Sequence, residues 1–239
     1  MDSHLIIAIV ILALGALAVS FFIYKKIKNY NIGAVIIKII ASLGFVLLGV
    51  FSFYHTGRHI LSIFLVVGSI FGMLGDIFLG LKHVYKENSK LYVKAGFLSF
   101  ALGHIFYVSG MFSEFFIPNS SFLYVLLPIV VAALLGTMML VVEKPLKMHY
   151  GSMKIMICLY ALFLFCTPCS AFSLLVLNNF SITTLLMLAP AGFLFATSDF
   201  LLCNTYFADN RDTPVFNFIN SVTYFLAQYT IAFSIFFLI

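Results

Sequence analysis

Four ionisable side chains fall inside long apolar runs of this sequence: Lys38, Asp76, His104 and Asp199. Such groups are costly in lipid, and they usually face a protein interior or a wet cavity. Two carboxylates and one ammonium form a small charge set that can satisfy itself. A carboxyl taken out of water can also keep its proton at neutral pH and hand it on. Intramembrane Asp and Lys are equally a signature of carriers, so the residue types alone leave proton-transfer chemistry and transport both open.

Composition states where these groups must sit. Of 239 residues, 63% are apolar and 9% charged, against roughly 45–50% and about 25% in a soluble domain. Apolar runs of membrane length recur from end to end. That excludes a soluble enzyme, a secreted disulfide scaffold and a nucleic-acid binder, with no nucleic-acid partner expected. The net charge of +5 arises from basic residues in short connections between apolar runs. The cysteines Cys158, Cys166, Cys169 and Cys203 all lie within such runs, which implies no extracellular disulfide framework. Trp is absent, and the 12 Tyr are left to anchor the interfaces.

The expected fold is therefore all-α: a polytopic bundle of eight transmembrane helices forming a single domain over residues 1–239. The runs are His4–Tyr24, Gly33–Phe53, Ile60–Leu81, Leu91–Ser113, Phe122–Val142, Met153–Leu177, Ser181–Cys203 and Pro214–Leu238. The first has no basic residue before it and no clear small-residue cleavage site, so it reads as a retained helix. Pro118-Asn119, Asn178-Asn179 and Asn210–Pro214 supply turn chemistry. Eleven basic residues flank one side: Lys25, Lys26, Lys28, Lys82, Lys86, Lys90, Lys94, Lys144, Lys147, Lys154 and Arg211. Only Arg58 marks the other. The positive-inside rule puts the eleven in the cytosol and both termini on the non-cytoplasmic side.

At a rise of about 1.5 Å per residue, Lys38 and Asp76 lie about 8 Å inside the cytosolic end of their helices, and Asp199 about 6 Å. Asn220 lies at about 9 Å and Tyr160 at about 10 Å. Five helices thus bring a polar group to one shallow layer. His104, Tyr107, Tyr224 and Gln228 are expected as its floor. Ser198 abuts Asp199, but no His lies at its depth to make it a nucleophile. His55 and His59 have the spacing of a metal pair, yet Thr56-Gly57 between them argues for a loop and no third ligand is evident, so no metal is expected. Cys166-Thr-Pro-Cys169 has CxxC spacing, but a thiol oxidoreductase would need a second pair. Gly68, Gly72 and Gly75 make a small-residue face for close helix packing beside Asp76.

The motifs recur in a definite order. A Lys early in the second run (Lys38) is followed by Gly75-Asp76-x-x-Leu79, His104-x-x-Tyr107, Ser198-Asp199-x-x-Leu202 and Tyr224-x-x-Ala227-Gln228. This set resembles the YhhN family of integral membrane proteins, which includes the animal lysoplasmalogenases. The resemblance runs from the second helix to the eighth. One departure is Ile39 after Lys38, where family members often have Pro; it bears on local helix shape.

The resemblance implies hydrolysis of the vinyl ether of a lysoplasmalogen to a fatty aldehyde and a glycerophospho-base. Such a bond is cleaved by protonating its outer alkene carbon, which gives an oxocarbenium ion that water captures. A positioned acid and a second carboxylate are needed, as in glycosidases. On that reading Asp76 and Asp199 are the catalytic pair. Lys38 holds one carboxylate ionised or meets the lipid phosphate. His104, Tyr107, Tyr160, Ser198, Asn220, Tyr224 and Gln228 bind substrate or orient water. A lysophospholipid substrate and membrane lipids are the expected partners, with no cofactor. Few charges and minimal loops suggest a bacterial cytoplasmic membrane. A proton-coupled or lipid transporter using the same Asp and Lys residues is the alternative, although no inverted repeat or pair of broken half-helices is present.

Overall fold

The computed structural model describes residues 3–57 and 59–238. The described residues form eight α-helices: α1 (Ser3–Lys28), α2 (Ile32–Thr56), α3 (Ile60–Val84), α4 (Ser89–Phe115), α5 (Leu123–Val142), α6 (Lys154–Leu177), α7 (Thr183–Phe207) and α8 (Pro214–Ser234). α1 and α7 run about a turn beyond the apolar runs that predict them, because Lys25–Lys28 and Asn204–Phe207 continue the helix past the hydrophobic stretch. Arg58, expected to mark the non-cytoplasmic side, lies outside the described residues.

Local chemistry sets the ends. Asn31 caps α2, its side-chain oxygen accepting from the Ala34 amide at 3.2 Å. Gly57 closes α2 in the left-handed region, φ 85°. Thr213 caps α8, and Pro214 takes its first turn, where no amide hydrogen is needed. Asn119, Asn179 and Asn210 turn the chain at φ 67°, 52° and 56°, a conformation Asn tolerates because its short side chain can bond locally.

Among the described residues, seven helices are long and apolar enough to cross a membrane. α8 is not among these, since Asn217, Asn220, Ser221, Tyr224 and Gln228 make it too polar. It nonetheless runs the length of α7. Asn220 bonds Ser198 near one end, and the Thr184 hydroxyl donates to the Ser234 carbonyl at the other. Apolar side chains cover the outside of the bundle, and the polar groups of the helices are gathered within an otherwise apolar interior. Leu17 and Leu134 are 68% and 65% exposed, whereas Asp76 and Gln228 are 1% and 0% exposed. Lipid solvates the first pair; the second survive only with protein partners.

α3, α4, α6, α7 and α8 close a ring, each packed on the next, with α8 returning to α3. α2 lies against α3 and α8, α1 against α2 and α8, and α5 covers α6. α3 and α4 form the most extensive pair. Gly68 and Gly103 let their backbones meet: a Cβ on Gly68 would lie 2.9 Å from the Gly103 carbonyl oxygen and would also strike the Tyr107 ring. Gly68→Ala is therefore expected to cost about 1–3 kcal/mol, the usual range for overpacking. A lower thermal midpoint in detergent checks this; an unchanged one would show that the two helices have slack.

Candidate active site

The shallow polar layer is a cavity at the end of the bundle where α1, α3 and α7 finish and α2 and α8 begin. Lys26, Lys38, Asp76, Asp199, Asn220 and Tyr224 line it, with Ser198, Tyr30, His83 and Tyr206 at its sides. Its volume is about 40 Å³, room for roughly three waters at about 10–15 Å³ each.

Asp76 is saturated with donors. Lys38 Nζ lies 2.7 Å from one carboxylate oxygen. The other accepts from Ser42 Oγ at 2.5 Å and from the Tyr224 hydroxyl at 2.7 Å. Lys38 and Ser42 are one helical turn apart on α2 and so present both donors from one face. An ammonium and two hydroxyls thus hold both oxygens of this side chain in place. Behind it the bonds continue: Gln228 Nε2 donates to the Tyr224 oxygen at 3.2 Å, and Tyr107 donates to Gln228 Oε1 at 3.0 Å.

Asp199 has different surroundings. The Tyr160 hydroxyl donates to it, and no cation pairs with it among the described residues. Tyr160 is held flat against Phe97, ring centroids 5.0 Å apart. Asp199 borders two spaces at once. One is the polar cavity; the other is a narrow apolar cleft of about 20 Å³ between α5, α6 and α7, lined by Met139, Ile157, Leu164 and Phe200. Asn220 fixes the neighbouring wall. Its amide donates to the Ser198 carbonyl at 2.8 Å and to Ser198 Oγ at 3.0 Å, which leaves its oxygen to accept from Lys26 at 3.1 Å.

The expected floor needs correction. Tyr224 lines the cavity, but His104, Tyr107 and Gln228 do not. Tyr107 and Gln228 support Asp76 from behind through Tyr224. His104 turns to α6, its Nδ1 2.8 Å from Thr167 Oγ1 and its ring edge-on to Phe195 at 4.6 Å. Depth along a helix could not reveal this, because it says nothing of which way the helix is rotated. Nor does Lys38 reach out to an interface: its ammonium is taken by Asp76. Tyr160 reaches the site from the cleft side of Asp199. Lys26 and Ser42 were not among the expected residues. The signal for Ser42 was its spacing of four from Lys38; for Lys26 it was the same spacing from buried Phe22.

The other motifs do not converge on chemistry. His55 stacks on Phe236 at 4.2 Å, whereas His59 Nδ1 lies 2.8 Å from Glu114 Oε1. No group of His, Cys, Asp and Glu suited to a metal occurs among the described residues. Cys158, Cys166, Cys169 and Cys203 are free thiols. Outside the spans, Glu143 holds the α5–α6 loop by accepting from Lys154 at 2.6 Å, and this bond draws its carboxyl below the usual range.

Asymmetric surroundings for two carboxylates, a chamber for water and an adjoining apolar cleft together suit acid–base chemistry on an amphiphile. No curated protein and no solved structure matches the chain. The family model described as the YhhN family matches residues 33–235, which take in every helix from α2 to α8, and the chain belongs to the YhhN family.

Proposed function

We propose that this protein is a lysoplasmalogenase-like ether hydrolase of the membrane, cleaving the vinyl ether of a lysoplasmalogen by acid–base catalysis between Asp199 and Asp76. The observation that carries the reading is the position of Asp199, at the boundary between a polar chamber and an apolar cleft. An alkenyl lipid divides at its ether oxygen in the same way, with hydrocarbon on one side and polar glycerol on the other.

The chemistry follows from the surroundings. Asp76, with its cation and two hydroxyl donors, is the standing carboxylate. Asp199, with no cation, carries the transferable proton. It protonates the outer alkene carbon, and the positive charge that develops at the ether-bearing carbon is stabilised by Asp76. Water from the chamber adds to that carbon while the Asp199 carboxylate takes its proton. The hemiacetal then collapses: its hydroxyl proton leaves, the carbon–oxygen bond to glycerol breaks, and the glycerol oxygen regains a proton. One water is consumed, and a fatty aldehyde and a glycerophospho-base are released. Neither a metal nor a cofactor takes part in the scheme.

The cavity mouth shares its end of the bundle with Lys25, Lys28, Lys86, Lys90 and Arg211, so by the positive-inside rule it faces the cytosol. On this reading all eight helices cross the membrane, α8 turning Asn220, Ser221, Tyr224 and Gln228 to its neighbours and Val215, Phe218, Val222 and Leu226 outward. A carrier would need a second opening, and the bonded chain of Tyr224, Gln228 and Tyr107 closes the inner end.

The test is direct. Protein purified in detergent is given a lysoplasmalogen or the matching saturated alkyl ether lipid, and aldehyde release is measured. Aldehyde is expected from the vinyl ether alone, because a saturated ether has no carbon to protonate. Failure to release aldehyde from a bound lysoplasmalogen would end the hydrolase reading.

A further inference from the structure

Lys26 sits at the cavity mouth and has no counterion among the described residues. Its ammonium, half-buried on the last turn of α1, is 3.1 Å from Asn220 Oδ1, 3.0 Å from Ser221 Oγ and 3.4 Å from the Asn217 carbonyl. All three acceptors are neutral. The Phe22 ring lies 5.9 Å from it. The loop carboxylate Asp212 accepts from Asn217 Nδ2 at 2.7 Å and makes no ion pair with Lys26. A compact, strongly hydrated ammonium held among neutral groups beside an aromatic ring is poorly compensated for lost water.

A second cation repeats the pattern. Lys82, in the last turn of α3, places its ammonium 2.8 Å from the centroid of the Tyr206 ring. It has neither a hydrogen-bond acceptor nor a carboxylate partner among the described residues. Tyr206 and His83 both line the cavity. Only Lys38 is neutralised, by Asp76. The first turns of α8, which carry the acceptors of Lys26, add the positive end of a 21-residue helix.

We propose that Lys26, seconded by Lys82, is the anchor for a phosphate ester at the mouth of the cavity, so that the ligand reaching the aspartates is a phosphate-bearing lipid. The anchor rests on the proposed function for the direction in which the lipid lies, its polar group at Lys26 and its ether toward Asp199. The long contact to the Asn217 carbonyl is the one a phosphate oxygen displaces. Lys38 cannot take this role without releasing Asp76.

The experiment measures binding, so it does not depend on turnover. A saturated alkyl ether lysophosphatidylethanolamine and the 1-alkylglycerol of the same chain are titrated into wild type, Lys26→Met, Lys26→Arg and Lys82→Met in detergent. Lys26→Met is expected to weaken the phosphate lipid by about tenfold or more, equivalent to about 1.4 kcal/mol, and to leave 1-alkylglycerol unaltered. Lys26→Arg keeps most of the affinity, and Lys82→Met weakens the phosphate lipid by a smaller factor. Binding of 1-alkylglycerol also reports that each variant is folded. Millimolar inorganic phosphate is added as competitor. Displacement in wild type but not in Lys26→Met identifies a site that takes free phosphate as well; no displacement, with lipid discrimination retained, restricts it to the headgroup. Equal weakening of both lipids by Lys26→Met, or weakening of neither, overturns the anchor. A wild type that discriminates by phosphate yet releases no aldehyde refutes the hydrolase and leaves the anchor standing. Aldehyde release with Lys26→Met indifferent to phosphate does the reverse.

Discussion

Asp199→Asn is expected to lower aldehyde release by about 10²–10⁴-fold, the usual contribution of a positioned general acid, while the variant still binds the lipid. An amide at this position still accepts the Tyr160 hydroxyl, so the packing of α6 on α7 is preserved and only the proton is lost. Asp76→Asn also suppresses release, but for another reason. It removes the charge that stabilises the cation, worth about 10²–10³-fold, and it leaves the Lys38 ammonium without its partner. The two variants therefore differ in stability more than in rate: Asp199→Asn keeps its thermal midpoint and Asp76→Asn loses several degrees. The isotope content of the product separates this mechanism from others. Protonation at carbon in deuterated water puts deuterium on the carbon next to the aldehyde, and proton transfer to carbon as the slow step gives a large solvent isotope effect. Aldehyde carrying no deuterium at that carbon would exclude Asp199 as a carbon acid catalyst. Full activity in Asp199→Asn would remove it from the mechanism altogether.

The sequence made the helices legible because lipid is an unforgiving solvent. An apolar run long enough to cross it has few alternatives to a helix, and a charge within such a run stands out where charged residues are only 9% of the chain. Lys38, Asp76, Asp199 and Asn220 could be placed in one layer by counting residues from helix ends, since the rise per residue is nearly constant. Rotation about the helix axis was harder. His104 and Asp199 are both polar groups in apolar helices, yet His104 points at Thr167 and Asp199 into the cavity. Neither helix has a marked amphipathic stripe, because lipid and protein interior are both apolar and the hydrophobic pattern cannot tell them apart. Lys26 shows the same limit at the interface. Lys25, Lys26 and Lys28 look alike in the sequence, and only the buried face that runs from Phe22 to Lys26 decides which one turns inward. The tight α3–α4 contact was legible from Gly68 and Gly75, where a side chain would strike Tyr107 and Phe100 of α4, whereas Gly72 on the same face makes room for Gln228 of α8.

Removing the Lys38 charge has the largest expected effect on stability. In wild type the pair lies 2.7 Å apart, with the side chains 13% and 1% exposed. Lys38→Met fills similar volume but leaves the Asp76 carboxylate with two hydroxyl donors and no cation. Breaking a buried pair from one side costs about 3–5 kcal/mol, because the remaining charge stays desolvated. The polar cavity beside Asp76 has room for water, which moves the expected value to the lower end. The double variant Lys38→Met, Asp76→Asn removes both charges and keeps an acceptor for Ser42 and Tyr224, so most of the loss should return. Denaturation in detergent of wild type, both single variants and the double variant closes the cycle, and a coupling energy well above the roughly 1 kcal/mol of an exposed ion pair is the expected result. A single-variant cost near zero would mean that Lys38 is solvated at the interface and that the ammonium contributes nothing to Asp76. Cost in both single variants with no recovery in the double would point instead to packing of the Lys38 stem against Phe22 and Tyr224, whose ring centroids lie 6.0 and 5.9 Å from its ammonium. The pair matters to the chemistry as well. The division of labour between the aspartates rests on one of them having a cation and the other having none, so Lys38→Met erodes that difference and should slow aldehyde release even in the fraction that remains folded.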